Sequence, residues 1–363
     1  MKILFDINVV CPYPGNLLSS IWKLADQLEI LGSLVFYLFP SEAKEIDWVK
    51  ELAKKEKVYF KENGIISKFR LYQSIVLENK IDIIYSHFWT LDDSLIMKLL
   101  KTKNKKLKYV IHHHNEYHIS DRWLNEKIKH WILDADMHIS CGKYVTDQVK
   151  KAGYRNVFWI ENCIDFSRLD AYEIVDFGLE SKCMKLLLFS SYSYEIKGVD
   201  IAIKGIKKAR ENHVDSALIL SVGANMDEII NRVKADCGGS IPFWVKIIPA
   251  REDVATLYRS VDAYLNASRS EGFCYSSVEA AYCGTQVVQS DIPQNRLDIP
   301  ETYIFESENE NDLCDKLLKF AEDIKCGDSD KRKIMHNYVV NEYSLDKWIE
   351  SEINALNRLQ AME

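Results

Sequence analysis

The sequence predicts an α/β protein of two domains, each a parallel sheet flanked by helices. Three observations carry that expectation. Short apolar runs of strand length alternate with helix-length segments, which is the arrangement of parallel βα units. At 363 residues the chain exceeds the size at which one hydrophobic core keeps growing. A charged, aperiodic stretch from Leu169 to Lys182 interrupts the alternation, and a new strand begins at Lys185.

Taken in order, residues 2–10 form an apolar strand broken by Cys11-Pro-Tyr-Pro-Gly15. Leu17, Ile21, Leu24, Leu28 and Leu31 then recur at helical spacing. Doubly wound sheets bind ligands at the carboxyl ends of their strands, so the Gly15-Asn16 turn is where backbone can approach a phosphate or sugar. Further strands are expected at 33–39, 81–86, 107–113, 137–140 and 157–161. After the break, strands are expected at 185–189, 217–222, 243–248, 262–267 and 285–290. Helices are expected through Ile201 to Ala209, at 252–260 and at 310–326. Ser344 caps a terminal helix with Leu345, Trp348, Ile349, Ile353 and Leu356 on one face.

Composition excludes several classes. With 47% hydrophobic and 28% charged residues the chain is an ordinary globular protein, with no sign of disorder or repeats. No apolar run is long enough to span a bilayer, and Met1 to Asp6 reads as a strand and not a leader, so a cytoplasmic protein is expected. Nine scattered cysteines without a C-x-x-C pair argue against disulfides and a thiolate zinc site. The net charge of -7 is uneven: residues 1–170 hold 25 basic against 22 acidic side chains, which leaves 22 against 32 for the rest. Neither half has the strongly basic balance of a nucleic-acid binder. A basic run, Lys98, Lys101, Lys103, Lys105, Lys106 and Lys108, fits either an anionic membrane surface or a solvated loop.

The densest chemistry lies between Ser268 and Gly284. A strand delivers Glu271 and Gly272 to a turn, a helix starts near Ser276, and Glu279 follows in its first turn. Two carboxylates thus bracket the amides of Gly272, Phe273, Cys274, Tyr275 and Ser276, and the positive end of a helix dipole suits an anion. A ligand-free reading also exists: Ser276-x-x-Glu279 has the spacing of a capping box. Upstream, Lys197-Gly198 sits at a strand-to-helix turn and offers a counter-ion. In the first half, strands ending in Ser86-His87 and in His112-His-His114 place histidines at carboxyl ends. Successive strand side chains alternate faces, so His112, His113 and His114 cannot all converge on one ion, and no metal site is expected.

The stretch EGFCYSSVEAAYCG, with Glu271 and Glu279 eight residues apart, resembles the E-x7-E signature of the retaining glycosyltransferases of family 4, which have the GT-B fold. Lys197-Gly198 is similar to the family's diphosphate-binding K-G, and Asn162-Cys-Ile-Asp165 to the N-G-V-D passage closing its first domain. Tyr192 stands where relatives carry an Arg, and Arg269, two residues before Glu271, is the expected substitute. The resemblance implies two Rossmann-like domains facing across a cleft. The first, residues 1–170, binds the acceptor; the second, 183–340, binds the nucleotide sugar; and residues 344–363 cross back to the first.

It further implies transfer of a sugar from a UDP- or GDP-sugar to a glycan or lipid-linked acceptor, with retention, in polysaccharide or glycoconjugate assembly. Glu271 would orient the sugar, Glu279 the ribose, Lys197 the diphosphate, and His114 the region between donor and acceptor. No D-x-D pair presents itself as a metal site, so a metal-independent, cofactor-free enzyme is expected. A nucleotide-sugar epimerase or hydrolase of the same fold, and a non-catalytic nucleotide-sugar-binding subunit, remain as alternatives.

Overall fold

The computed structural model describes residues 1–11, 13–115, 125–190, 193–293, 297–327 and 330–361. Two units divide them, Met1–Cys163 with Leu345–Glu363, and Ile164–Ser344. The first unit ends at Cys163 and not near residue 170, and the expected linker, Leu169 to Lys182, belongs to the second. Backbone bonding explains the difference: Ile164 donates to the carbonyl of Tyr343, and Glu173 and Val175 donate to the hydroxyls of Thr256 and Ser260.

The first unit holds seven strands: β1 (Lys2–Ile7), β2 (Leu34–Pro40), β3 (Val58–Lys61), β4 (Ile83–His87), β5 (Lys108–His113), β6 (Met137–Ser140) and β7 (Val157–Trp159). They form one parallel sheet in the order β3-β2-β1-β4-β5-β6-β7. Its strands are apolar on both faces because helices cover both. These helices are α1 (Gly15–Ile30), α2 (Asp47–Lys55), α3 (Ile65–Asn79), α4 (Leu91–Lys103), α5 (Glu126–Leu133) and α6 (Lys143–Lys151).

The second unit repeats the plan with six parallel strands: β8 (Met184–Phe189), β9 (Ser216–Val222), β10 (Val245–Pro249), β11 (Ala263–Asn266), β12 (Gln286–Ser290) and β13 (Tyr303–Phe305). Their order is β10-β9-β8-β11-β12-β13. Its helices are α7 (Val199–Glu211), α8 (Met226–Asp236), α9 (Val254–Arg259), α10 (Tyr275–Tyr282), α11 (Glu310–Cys326) and α12 (Asp330–Glu342). The last helix, α13 (Leu345–Ala361), returns to the first unit, where Trp348, Leu356 and Leu359 share a core with Leu18, Ile21 and Leu28 of α1.

Both sheets reverse winding at one point, between β1 and β4 and between β8 and β11. Loops leaving those neighbours diverge to opposite faces and open a crevice at the carboxyl ends of the strands. Among the described residues no helix is long and apolar enough to cross a membrane. The basic run is partly neutralised: Lys98 pairs with Asp134 at 3.1 Å, Lys101 with Asp136, and Lys103 lies over the Phe69 ring. Those two carboxylates are the Asp134-Ala-Asp136 sequence, which is therefore occupied by lysines.

Candidate active site

In the second unit the crevice is built from the loop after β8 and the loop after β11. Gly198 decides how closely they approach. Its φ is +61°, and a Cβ there would lie 1.9 Å from the carbonyl oxygen of Ala267, so the position accepts only glycine. A backbone bond from Arg269 to the carbonyl of Ile196, 2.8 Å, ties the loops one residue further on. This approach brings Lys197 and Glu271, 74 residues apart in sequence, to 2.6 Å. Each side chain is 14% exposed, so the pair is shielded from solvent yet reachable.

The Ser268 hydroxyl also donates to Glu271 Oε1, at 2.6 Å. Lysine and serine thus hold one carboxylate oxygen, and among the described residues Oε2 accepts no hydrogen bond. The arrangement fixes a carboxylate with one oxygen presented, beside a cation. It can accept a hydroxyl proton and face an anion at once.

Helix α10 begins at Tyr275 with Cys274 as its N-cap, and no side chain caps it. The capping-box alternative is therefore overturned, because Ser276 lies inside the helix and not at its cap. The ring of amides is also smaller than expected. Tyr275 N–H donates to the carbonyl of Phe273, which turns that amide inward. Phe273 and Cys274 bury their side chains, and Phe273 packs edge-on against Tyr275 and Tyr343, so only their backbone faces the turn. Glu279, 8% exposed, accepts at Oε2 from the buried Tyr258 hydroxyl at 2.7 Å. Tyr258 went unnoticed in sequence because nothing local pairs it with a carboxylate 21 residues away.

Arg269 does not serve as a second cation for the turn. Its guanidinium forks onto Asp200, with both bonds at 2.9 Å, and onto Glu308, and it also donates to the carbonyl of Glu195. A planar fork so engaged is a structural clamp. Tyr192 lies outside the described residues.

In the first unit, Gly15 opens α1 at φ +58°, with buried Asn16 behind it. The alternation expected of β5 holds: His113 points away from its two neighbours, and its Nε2 lies 3.0 Å from His138 Nδ1. His112 and His114 share the other face, where the sequence reading lacked a third member. His87, the register partner of His112 on β4, supplies it. His87 Nδ1 and His114 Nε2 are 2.8 Å apart, and the rings of His112 and His114 stack at 4.0 Å. Burial pushes the His114 imidazole down to about 3, so it is neutral at working pH and acts as a hydrogen-bonding group and not as a charge.

Two doubly wound parallel sheets, the second presenting a lysine–glutamate pair beside an uncapped helix at its switch point, define a ligand-binding protein of two Rossmann-like units. The sequence narrows this further. A model described as Glycosyl transferases group 1 matches residues 184–323, and one described as Glycosyltransferase Family 4 matches residues 21–168. The chain belongs to the group 1 glycosyltransferases of GT-B fold.

Solved structures share the fold at low identity. A glycosyltransferase from Rickettsia africae is 16% identical, with a TM-score of 0.82 over 100% of this chain and 99% of its own. Anabaena HepE in complex with UDP is 15% identical, with a TM-score of 0.79 over 99% and 100%. Sucrose-phosphate synthase from Thermosynechococcus elongatus is 13% identical, with a TM-score of 0.80 over 99% and 100%. No curated protein matches the chain.

Proposed function

We propose that the protein transfers a sugar from a nucleoside-diphosphate sugar to an acceptor hydroxyl with retention of configuration, in the assembly of a polysaccharide or glycoconjugate. The observation that carries this reading is the Lys197–Glu271 pair at 2.6 Å beside the uncapped start of α10. A diphosphate lies against that helix end, its charge met by Lys197, while Glu271 turns Oε2 to a sugar hydroxyl. As the leaving diphosphate gains charge, lysine and amides already in position stabilise it without reorganising, and no divalent ion is needed there. Glu279, held by Tyr258, takes the ribose hydroxyls. Neutral His114 orients hydroxyls at the reacting carbon, and Gly15 and Asn16 offer backbone to the donor.

Anabaena HepE has been solved with UDP and with UDP-glucose, which supports a UDP-sugar as the donor here, with a GDP-sugar as the other expectation. The acceptor is a glycan or a lipid-linked sugar. Leaving-group departure and acceptor attack occur on one face of the donor, as the marked residues include no nucleophile for a glycosyl-enzyme. Donor choice is tested by thermal stabilisation against a panel of nucleotide sugars, since a ligand at ~100 times its dissociation constant adds about 2.7 kcal/mol. Lys197→Ala and Glu271→Ala should each lower turnover at least ~100-fold, about 3 kcal/mol, while leaving the protein folded. A fully active Lys197→Ala enzyme refutes the phosphate role.

A further inference from the structure

We infer that the first unit carries a transition-metal site formed by His87, His112 and His114, a three-imidazole set of the kind that takes Zn2+ or Co2+. The site does not involve the lysine–glutamate pair of the second unit, but it shares His114 with the sugar-transfer reading: a ring bound to metal orients substrate through the metal's open position and not through its own free nitrogen. One ring nitrogen from each residue lies within 4.8 Å of one from each of the others. The backbone causes this convergence. His112 and His114 are two apart on β5, so they share a face, and His87 is paired with His112 across the β4–β5 ladder.

Hydrogen bonding leaves the set unfinished. His87 Nε2, His112 Nε2 and His114 Nδ1 are buried and have no partner among the described residues. Buried polar atoms are nearly always satisfied, so three orphans in one cluster point to an absent ligand. All three rings are at most 6% exposed, so bulk water does not compete for their unpartnered nitrogens.

The surrounding groups also suit an ion. Tyr85 donates its hydroxyl proton to Glu352 on α13 at 2.7 Å, so at 2.9 Å it accepts from His112 Nδ1–H. With Glu352 ionised, that chain puts the His112 proton on Nδ1 and leaves Nε2 unprotonated. It is the carboxylate-backed orientation that metal-ligating histidines show, here relayed through a phenol. His87 and His114 stack on the same side with rings 5.1 Å apart and 20° from parallel. Three in-plane lone pairs meet at one ion once the rings turn about χ2, a broad, soft torsion in histidine; the turn gives up the His87–His114 hydrogen bond, so that each ring can carry its single proton on the nitrogen facing away from the ion. With bonds of about 2.0–2.1 Å, the nitrogens close to about 3.3 Å. A fourth position remains for water or an anion.

The test uses the full chain stripped with a chelator. It is titrated with Co2+, whose absorption bands report tetrahedral nitrogen coordination, and with Zn2+ against a chromophoric chelator. We expect one equivalent per chain in the wild type, and affinity at least ~10-fold weaker in His87→Asn and in His112→Asn, each shown folded by near-ultraviolet circular dichroism. His113→Asn, on the opposite face, should bind as wild type. Where a histidine variant does not fold, Tyr85→Phe replaces it; losing the tautomer lock should weaken binding ~10- to 100-fold. Absence of saturable binding, or wild-type affinity in the folded variants tested at His87, His112 or Tyr85, overturns the site.

Discussion

Replacing Gly198 by alanine tests how the two loops of the second unit are held together. The new methyl would lie 1.9 Å from the Ala267 carbonyl oxygen, where ordinary contact begins at 3.4 Å, so the loops must part by about 1.5 Å. Three costs follow. A left-handed alanine costs about 1–2 kcal/mol, forced overpacking about 1–3, and the Arg269-to-Ile196 bond, once stretched, about 1. Together they amount to about 3–6 kcal/mol. For a unit of this size that lowers the melting midpoint by about 6–24 °C, read by calorimetry or circular dichroism. Lys197 moves with the backbone, so its 2.6 Å contact to Glu271 opens and donor affinity falls in parallel. Gly142→Ala is the matched control. No atom lies within 4 Å of where its methyl would sit and its backbone is extended, so stability should stay within ~1 kcal/mol. A Gly198→Ala protein with wild-type midpoint and donor affinity would refute the argument.

Other expectations rest on separate contacts. Tyr258→Phe strips Glu279 of a buried donor and should cost about 1–3 kcal/mol in urea unfolding, with weaker nucleotide binding; equal stability and binding would remove its positioning role. Lys61 is buried between Asp6, at 2.5 Å, and Asp93, at 2.8 Å, so Lys61→Met leaves buried Asp6 without its cation and Asp93 with only Lys68 at 3.8 Å, and should cost about 3–5 kcal/mol. A loss below ~1 kcal/mol would show that the carboxylates are solvated. Burial pushes His138 down to about 4, against 6.5 when unfolded. Between those values the unfolded chain holds a proton that the folded one lacks. Its contribution is therefore complete above about 6.5 and lost as pH falls toward 4, with a slope of up to ~1.4 kcal/mol per pH unit. His138→Gln should reduce that slope by its one-proton share, the other buried histidines keeping theirs, and an unaltered slope would count against it.

How much was legible depended on whether the signal was local. Eleven of the strands announced themselves as apolar runs, and β6 and α11 were bounded to the residue. β3 and β13 were missed because they are short and sit at or near sheet edges, and Lys61 disguises β3 as loop although it is buried in its charge cluster. α12 has no apolar stripe for periodicity to find. Glu271 and Lys197 were found through resemblance to a family, since no local pattern joins residues 74 apart. Proximity misled where it stood alone: Arg269 lies two residues from Glu271, yet Asp200 and Glu308 claim it. The run of three histidines drew attention to itself, but its chemistry depends on His87, which only sheet register brings near.

The first unit is assembled from two separated stretches of chain, whereas Ile164–Ser344 is continuous. During synthesis from the amino end, the middle unit can therefore mature as soon as it leaves the ribosome. The opening 163 residues, although made earlier, must wait for α13 to cover α1 and to bring Glu352 to Tyr85. The half made first is the half finished last, and until then its apolar flank is what a chaperone would bind.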